Sequence, residues 1–207
     1  DFRSILNIIG ILICIEAVAM LIPMFFDLYY GNYDWLQFFY SSLITFFIGI
    51  ILYFSFRKKN IKLGIRQAFL LTISSWLVIS LFGSIPFSSS SSSLSYTDAF
   101  FESVSGITTT GATVINNLEN LSEGILIWRS LLQWFGGIGI IVLAMAILPT
   151  LQIGGMQLLH MEHDDPYEKT IPKVNRFVIE LSLLYISLSV ICAFLYFVNG
   201  MKGFDSI

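Results

Sequence analysis

Two stretches of the sequence combine residue types and spacings that could do chemistry. The first is Thr108-Thr109-Thr110-Gly111-Ala112-Thr113, which offers four threonine hydroxyls, small side chains and a glycine. Glycine reaches backbone angles that turn successive carbonyls toward one axis. A cation leaving water needs several oxygens to replace its hydration shell, and rings of backbone carbonyls supply them without fixed charge. Surface turns use the same residues, so position decides between the two readings. The second stretch holds His160, Glu162, His163, Asp164 and Asp165, two histidines three apart among carboxylates. It spells neither a zinc-protease helix nor a calcium loop. Charged runs of this kind are usually solvated surface, and contact with a cytoplasmic partner suits it better than metal binding. Cys14 and Cys192 lie far apart in apolar stretches, which fits two small buried thiols and no disulfide framework.

The elements that must position these residues belong in a membrane. Of 207 residues, 56% are hydrophobic and only 12% charged, against roughly a quarter charged in soluble chains. A mean hydropathy of +0.78 over the whole chain calls for an apolar solvent. The net charge of −3 argues against nucleic acid as a partner. A bilayer core about 30 Å thick needs roughly 20 apolar residues per helix. Five runs qualify: Ser4 to Phe26, Leu36 to Phe56, Arg66 to Phe87, Ile125 to Leu148 and Phe177 to Val198. The first is too long for a signal-peptide core and carries Glu16, so a retained helix fits better.

Charge sets the orientation. Arg57, Lys58, Lys59, Lys62 and Arg66 fall between the second and third runs, and Lys169, Lys173 and Arg176 between the fourth and fifth. Both loops belong on the cytoplasmic side, with Arg3 and the amino terminus. Asp27, Asp34, Asp98, Glu102, Glu119, Glu123 and Asp205 fall at or near the outer side, where they would concentrate cations or serve as ordinary loop charges. Parity then requires the segment between Phe87 and Ile125 to start and finish outside. Ala99 to Ile115 is moderately apolar and rich in Ser, Thr and Gly, the composition of a segment that dips in and returns. Irregular backbone at membrane depth is tolerated only where protein buries it or a watery path passes it.

Asp98 is expected to cap a short helix from Ala99, with Gly106 and the threonines ending it near Ile107. Its carboxyl end would point partial negative charge toward the membrane centre, favouring a cation there. The serine run Ser88 to Ser93 suggests a flexible outer loop or spacer. Gly136, Gly137 and Gly139 suit close helix packing, and Pro149 marks a helix end. Glu16 and Arg129 are ionisable groups at or near membrane depth and should find partners. Glu102 is expected to pair with Arg129, whose role is then anchoring.

Beyond this, TDAFFESVSGITTTGATVI, from Thr97 to Ile115, resembles the first filter segment of the TrkH and KtrB potassium-uptake proteins of bacteria. LLQWFGGIGIIVLAMAILPTLQIGGMQLL, from Leu131 to Leu159, is similar to the second helix of the same repeat. The resemblance implies four non-identical helix–pore loop–helix units around one pathway, preceded in the TrkH branch by two extra helices. On this chain it implies two peripheral helices in 1–60, a first unit in 61–150, a cytoplasmic loop in 151–175 and the start of a second unit in 176–207. The filter would fall on Thr109, Thr110, Gly111, Ala112 and Thr113, with Ala112 and Thr113 where tetrameric potassium channels carry Tyr and Gly. It also implies the bacterial cytoplasmic membrane, a homodimer, and a nucleotide-binding regulatory ring of the TrkA or KtrA kind.

The expectation is thus an all-α integral membrane protein, an α-helical pore-loop architecture that passes potassium inward without cofactor or covalent chemistry. The rivals are a membrane-embedded enzyme using the His160 and His163 loop, and a non-conducting structural subunit.

Overall fold

The computed structural model describes residues 2–57, 65–90, 94–116, 118, 121–151 and 167–206. Among these the chain is helical: α1 (Phe2–Ala19), α2 (Leu21–Tyr30), α3 (Trp35–Ser55), α4 (Ile65–Gly83), α5 (Ile85–Ser89), α6 (Tyr96–Ile107), α7 (Glu123–Leu151) and α8 (Tyr167–Val198). Five stretches are long and apolar enough to span a bilayer: Phe2–Tyr30, Trp35–Ser55, Arg66–Ser89, Glu123–Ile141 and Ile179–Val198. They correspond to the five apolar runs of the sequence.

Two of those runs are interrupted helices, and proline explains both. Pro23 has no N–H to give the Ala19 carbonyl, and α1 stops at Ala19. Pro86 likewise cannot bond Phe82, and α4 gives way at Ser84 to α5. The serine run is therefore partly helical: Ser88 and Ser89 finish α5. Ser90 is buried and Ser91 to Ser93 lie outside the described residues. Pro149 does not end α7, which reaches Leu151, because a proline this close to a terminus removes a single late bond. The segment 151–175 is not wholly a loop either. Tyr167 onward is helical, so Lys169, Lys173 and Arg176 ride on the polar first turns of α8. Residues 152–166, including the histidine–acid stretch, lie outside the described residues.

The chain divides into two compact units, Asp1–Gly137 and Ile138–Ile207. In the second, the apolar stretch Ile179–Val198 of α8 is long enough to cross a bilayer.

In the first unit α1 and α3 form a hairpin packed at backbone distance. A Cβ on Gly10 would lie 2.7 Å from the Tyr53 nitrogen, and one on Gly49 3.0 Å from the Gly10 carbonyl. Small residues permit this approach in lipid, where burial of apolar surface drives no association. Asn7 donates to the Tyr53 carbonyl at 3.0 Å and Ser42 to the Ala17 carbonyl at 2.7 Å, adding polar ties across the pair. A second cluster gathers Met20, Phe38, Phe87, Ala99, Ile107 and Ile125 around the fully buried Trp128, whose indole N–H donates to the Gly83 carbonyl at 2.9 Å.

The α2–α3 turn is tied to the start of α7. Asp27, fully buried, accepts from the Gly124 N–H at 2.7 Å and from Asn32 Nδ2 at 3.0 Å. Asn32 also donates to Glu123 at 2.6 Å, and Ser122 to Asp34 at 2.9 Å. A carboxylate at an amino terminus satisfies an otherwise orphaned N–H and complements the helix dipole. Asp27→Ala leaves that N–H buried and bare. Thermal unfolding of the full-length protein in detergent should show a loss of about 1–3 kcal/mol, whereas an unchanged melting point would mean that this tie does not hold α7.

Candidate functional site: a short helix and the strand that returns along it

The local sequence dictates how α6 begins and ends. Ser95 is its cap. The Ser95 hydroxyl accepts from the Asp98 N–H at 3.2 Å and donates to the Asp98 carboxylate at 2.7 Å. Ser95 thus caps the first turn, while Asp98, within that turn, bonds the hydroxyl of the cap and is not itself the cap. The helix starts three residues before Ala99 because Tyr96 and Thr97 are drawn into that turn. It ends at Ile107, as the glycine and threonines require.

Beyond Ile107 the backbone closes in a Schellman arrangement. The Thr110 N–H bonds the Ser105 carbonyl at 3.0 Å and the Thr109 N–H the Gly106 carbonyl at 2.9 Å. This motif puts one residue in the left-handed region, usually glycine, yet here Thr109 occupies it with φ 57°. A β-branched residue there is strained, and such strain persists only where the surroundings over-determine it. Gly111 is also left-handed at φ 76°, while Thr110 between them is not. Left-handed residues therefore alternate along the strand.

The strand then runs back along the helix. Ser105 Oγ donates to the Ala112 carbonyl at 2.6 Å. One turn earlier on α6, Glu102 Oε1 accepts from both the Thr113 hydroxyl and the Val114 N–H, each at 2.6 Å. Glu102 is 1% exposed, and its other oxygen accepts from Arg129 Nε at 3.0 Å. Both carboxylate oxygens are thus engaged, one by the descending strand and one by α7. Residues Thr108 to Val114 are exposed along their other side. Among the described residues nothing bonds the carbonyls of Thr109, Thr110 or Gly111.

Close packing fixes the same corner from behind. A methyl on Gly136 of α7 would run into the carbonyl of Ile107, the last residue of α6. Of the glycines expected to pack, Gly136 does so.

The structure therefore brings Thr109 to Thr113 into one reversing strand, held by Ser105, Glu102 and, through Glu102, Arg129. The pairing of Glu102 with Arg129 was legible in the sequence. The grip of Glu102 on Thr113 and Val114 was not, although a carboxylate in an apolar short helix signals that it faces protein.

Spanning helices, a short helix too short to cross and a strand that doubles back define a multi-pass helical membrane protein of the pore-loop class. Residues 36–205 match the TrkH family, described as a cation transport protein. The chain belongs to that family. It is 42% identical to the Trk system potassium uptake protein TrkH of Vibrio parahaemolyticus over 210 residues, which is 100% of this chain and 43% of the relative. The Escherichia coli (strain K12) proteins are similar at 42% for TrkH and 36% for TrkG, each matched over 43% of its own length. The crystal structure of the potassium transporter TrkH from Vibrio parahaemolyticus superposes with a TM-score of 0.86 at 39% identity, covering 100% of this chain and 42% of that one. The chain thus spans less than half the length of these relatives.

Removing the Glu102 side chain strips partners from Arg129 and the strand together. Glu102→Ala should cost about 3–5 kcal/mol, the usual penalty for breaking a buried pair. In a double-mutant cycle with Arg129→Met, the combined loss should fall well short of additive. Additive losses in thermal unfolding would show that the two do not act as a unit.

Proposed function

We propose that this chain forms part of a potassium-uptake protein of the bacterial cytoplasmic membrane, passing the ion inward past the strand Thr109–Thr113. One observation carries the reading: the alternation of left-handed Thr109 and Gly111 on a buttressed strand whose outer side is open. Alternating handedness turns neighbouring carbonyls the same way, which is what replacing the hydration shell of a cation demands. The relatives' names, all potassium uptake proteins, support the choice of ion.

The strand narrows the sequence expectation. Ser105 already holds the Ala112 carbonyl against α6, so Thr109, Thr110 and Gly111 offer the freest oxygens to the ion, with Ala112 and Thr113 anchoring the strand. The carboxyl end of α6 adds partial negative charge at the same level. No bond is made or broken, so the work of the site is ion dehydration rather than catalysis.

In the whole protein, residues 1–60 supply two peripheral helices, 61–150 the first helix–pore loop–helix unit and 176–207 the start of the second. The basic residues between the second and third spans and between the fourth and fifth support an amino terminus in the cytoplasm. The polar stretch of sequence between α7 and α8 then meets a nucleotide-binding regulatory ring of the TrkA or KtrA kind, and the membrane subunit pairs as a homodimer.

Gly111 separates this reading from a structural role. Among the described residues a Cβ there meets nothing within 4 Å, so a substitution acts first on the left-handed backbone. That conformation costs a non-glycine residue roughly 1–2 kcal/mol. Gly111→Ser in the full-length protein should fold and insert normally. Its potassium uptake or its preference over sodium should fall by roughly tenfold, the rate equivalent of that energy. Wild-type fluxes and selectivity would overturn the proposal.

A further inference from the structure

The α1–α3 hairpin carries a groove on its outer surface. Gly49 lies against Cys14, where a Cβ would come 2.7 Å from the Cys14 sulfur. Phe46 and Tyr53, three residues before and four after, flank the side chain that Gly49 lacks. With Ile11, Cys14, Ile15 and Val18 of α1 they line an open groove of about 410 Å³ with apolar walls. The four α1 residues recur at i, i+3, i+4 and i+7, which is one face of a helix. Ile11, Ile15, Val18 and Phe46 are exposed. Both helices belong to stretches long and apolar enough to span a bilayer, Phe2–Tyr30 and Trp35–Ser55.

Two cations stand at one end of this groove. Contacts of Asn7 with Tyr53, Cys14 with Gly49 and Ser42 with Ala17 set the two helices antiparallel. Arg3 lies four residues before Asn7 and Arg57 four residues after Tyr53, so both mark the same end of the hairpin. Both are exposed, and among the described residues neither makes an ion pair. In sequence Arg57 is followed by Lys58 and Lys59. At the helical rise per residue, Tyr53 lies about 6 Å along the axis from Arg57, and Phe46 about 16 Å. The hydrocarbon of one leaflet is about 15 Å deep. The groove thus runs through the depth of one leaflet, beneath the two arginines.

We propose that this is a binding site for an anionic phospholipid, with one acyl chain in the groove and the phosphate held by Arg3 and Arg57. Lipid tails are as apolar as the groove walls, so shape places the chain while the headgroup decides which lipid is kept. Basic groups beside a membrane helix attract anionic headgroups, and the guanidinium fork matches phosphate oxygens. A phospholipid brings chain and phosphate together at the spacing found here. A protein helix laid in the same groove would have to bring carboxylates of its own to meet the arginines. The site does not depend on the reading of Thr109–Thr113.

The test places the full-length protein in phosphatidylcholine vesicles with a trace of phosphatidylglycerol that carries a diazirine midway along one chain. After illumination the labelled residues are mapped by mass spectrometry. Label should concentrate on the groove segments Ile11 to Val18 and Phe46 to Tyr53. Unlabelled phosphatidylglycerol should displace it at a level roughly tenfold below that needed with phosphatidylethanolamine, the order expected of two basic groups beside an anionic headgroup. Arg3→Gln with Arg57→Gln should bring the two competitors level. Ile15→Trp, at an exposed position, should fill the groove and cut the labelling several-fold while the protein stays monodisperse. Label as strong on Phe47 and Ile51, exposed elsewhere on α3, would mean ordinary lipid contact and overturn the proposal. An unlabelled groove would overturn it by showing that protein covers this face, from the rest of the chain or from a second copy. A preference for phosphatidylglycerol that survives the double substitution would overturn the assignment of the phosphate to Arg3 and Arg57. Should Ile15→Trp fail to fold, the arginine pair and the labelling map still decide.

Discussion

A single buried carboxylate holds the returning strand in place. Glu102 accepts from Thr113 and Val114 through one oxygen and from Arg129 through the other. An unpaired charge at this depth would be expensive, but a fully bonded one becomes a rigid joint. The strand must carry Thr109 in a conformation that β-branched residues avoid, and only strong surrounding contacts sustain such strain. The backbone bonds of Thr109 and Thr110 to the end of α6 on one side, and the Ser105 and Glu102 bonds to Ala112, Thr113 and Val114 on the other, bracket that stretch.

The rest of the first unit presents Arg129 to this joint. Asp27 caps the start of α7, Trp128 anchors its next turn to Gly83, and Gly136 lets the same helix lie against the end of α6. Each contact limits how α7 can rotate or slide. The first two spans do more than add apolar surface, because their connecting turn supplies the carboxylate on which α7 starts.

Much of this was legible in the sequence. Hydropathy and loop charge sufficed for the five spans, since membrane helices must be apolar over a fixed length. Parity and composition sufficed for the dip between Phe87 and Ile125. Pro23 and Pro86 carried the breaks in α1 and α4 in plain view, but uninterrupted hydropathy masks a break that costs no polarity. Ser95 and Asp98 lie three apart, and either could cap; only the hydrogen-bond geometry selects Ser95. The close pair Gly10 and Gly49 escaped because contacts between distant helices leave no local periodicity. The left-handed Thr109 escaped for a different reason. Propensity argues against it, and it exists because tertiary contacts outweigh propensity there, the pattern expected at a functional position.

The role proposed for this strand is that its main-chain oxygens stand in for water around a dehydrated potassium ion. Crystals of the full-length protein grown with rubidium in place of potassium, measured at the rubidium absorption edge, test it most directly. An anomalous peak coordinated by the carbonyls of Thr109, Thr110 or Gly111 is the expected result. Rubidium bound elsewhere along the pathway, with none beside this strand, would contradict it.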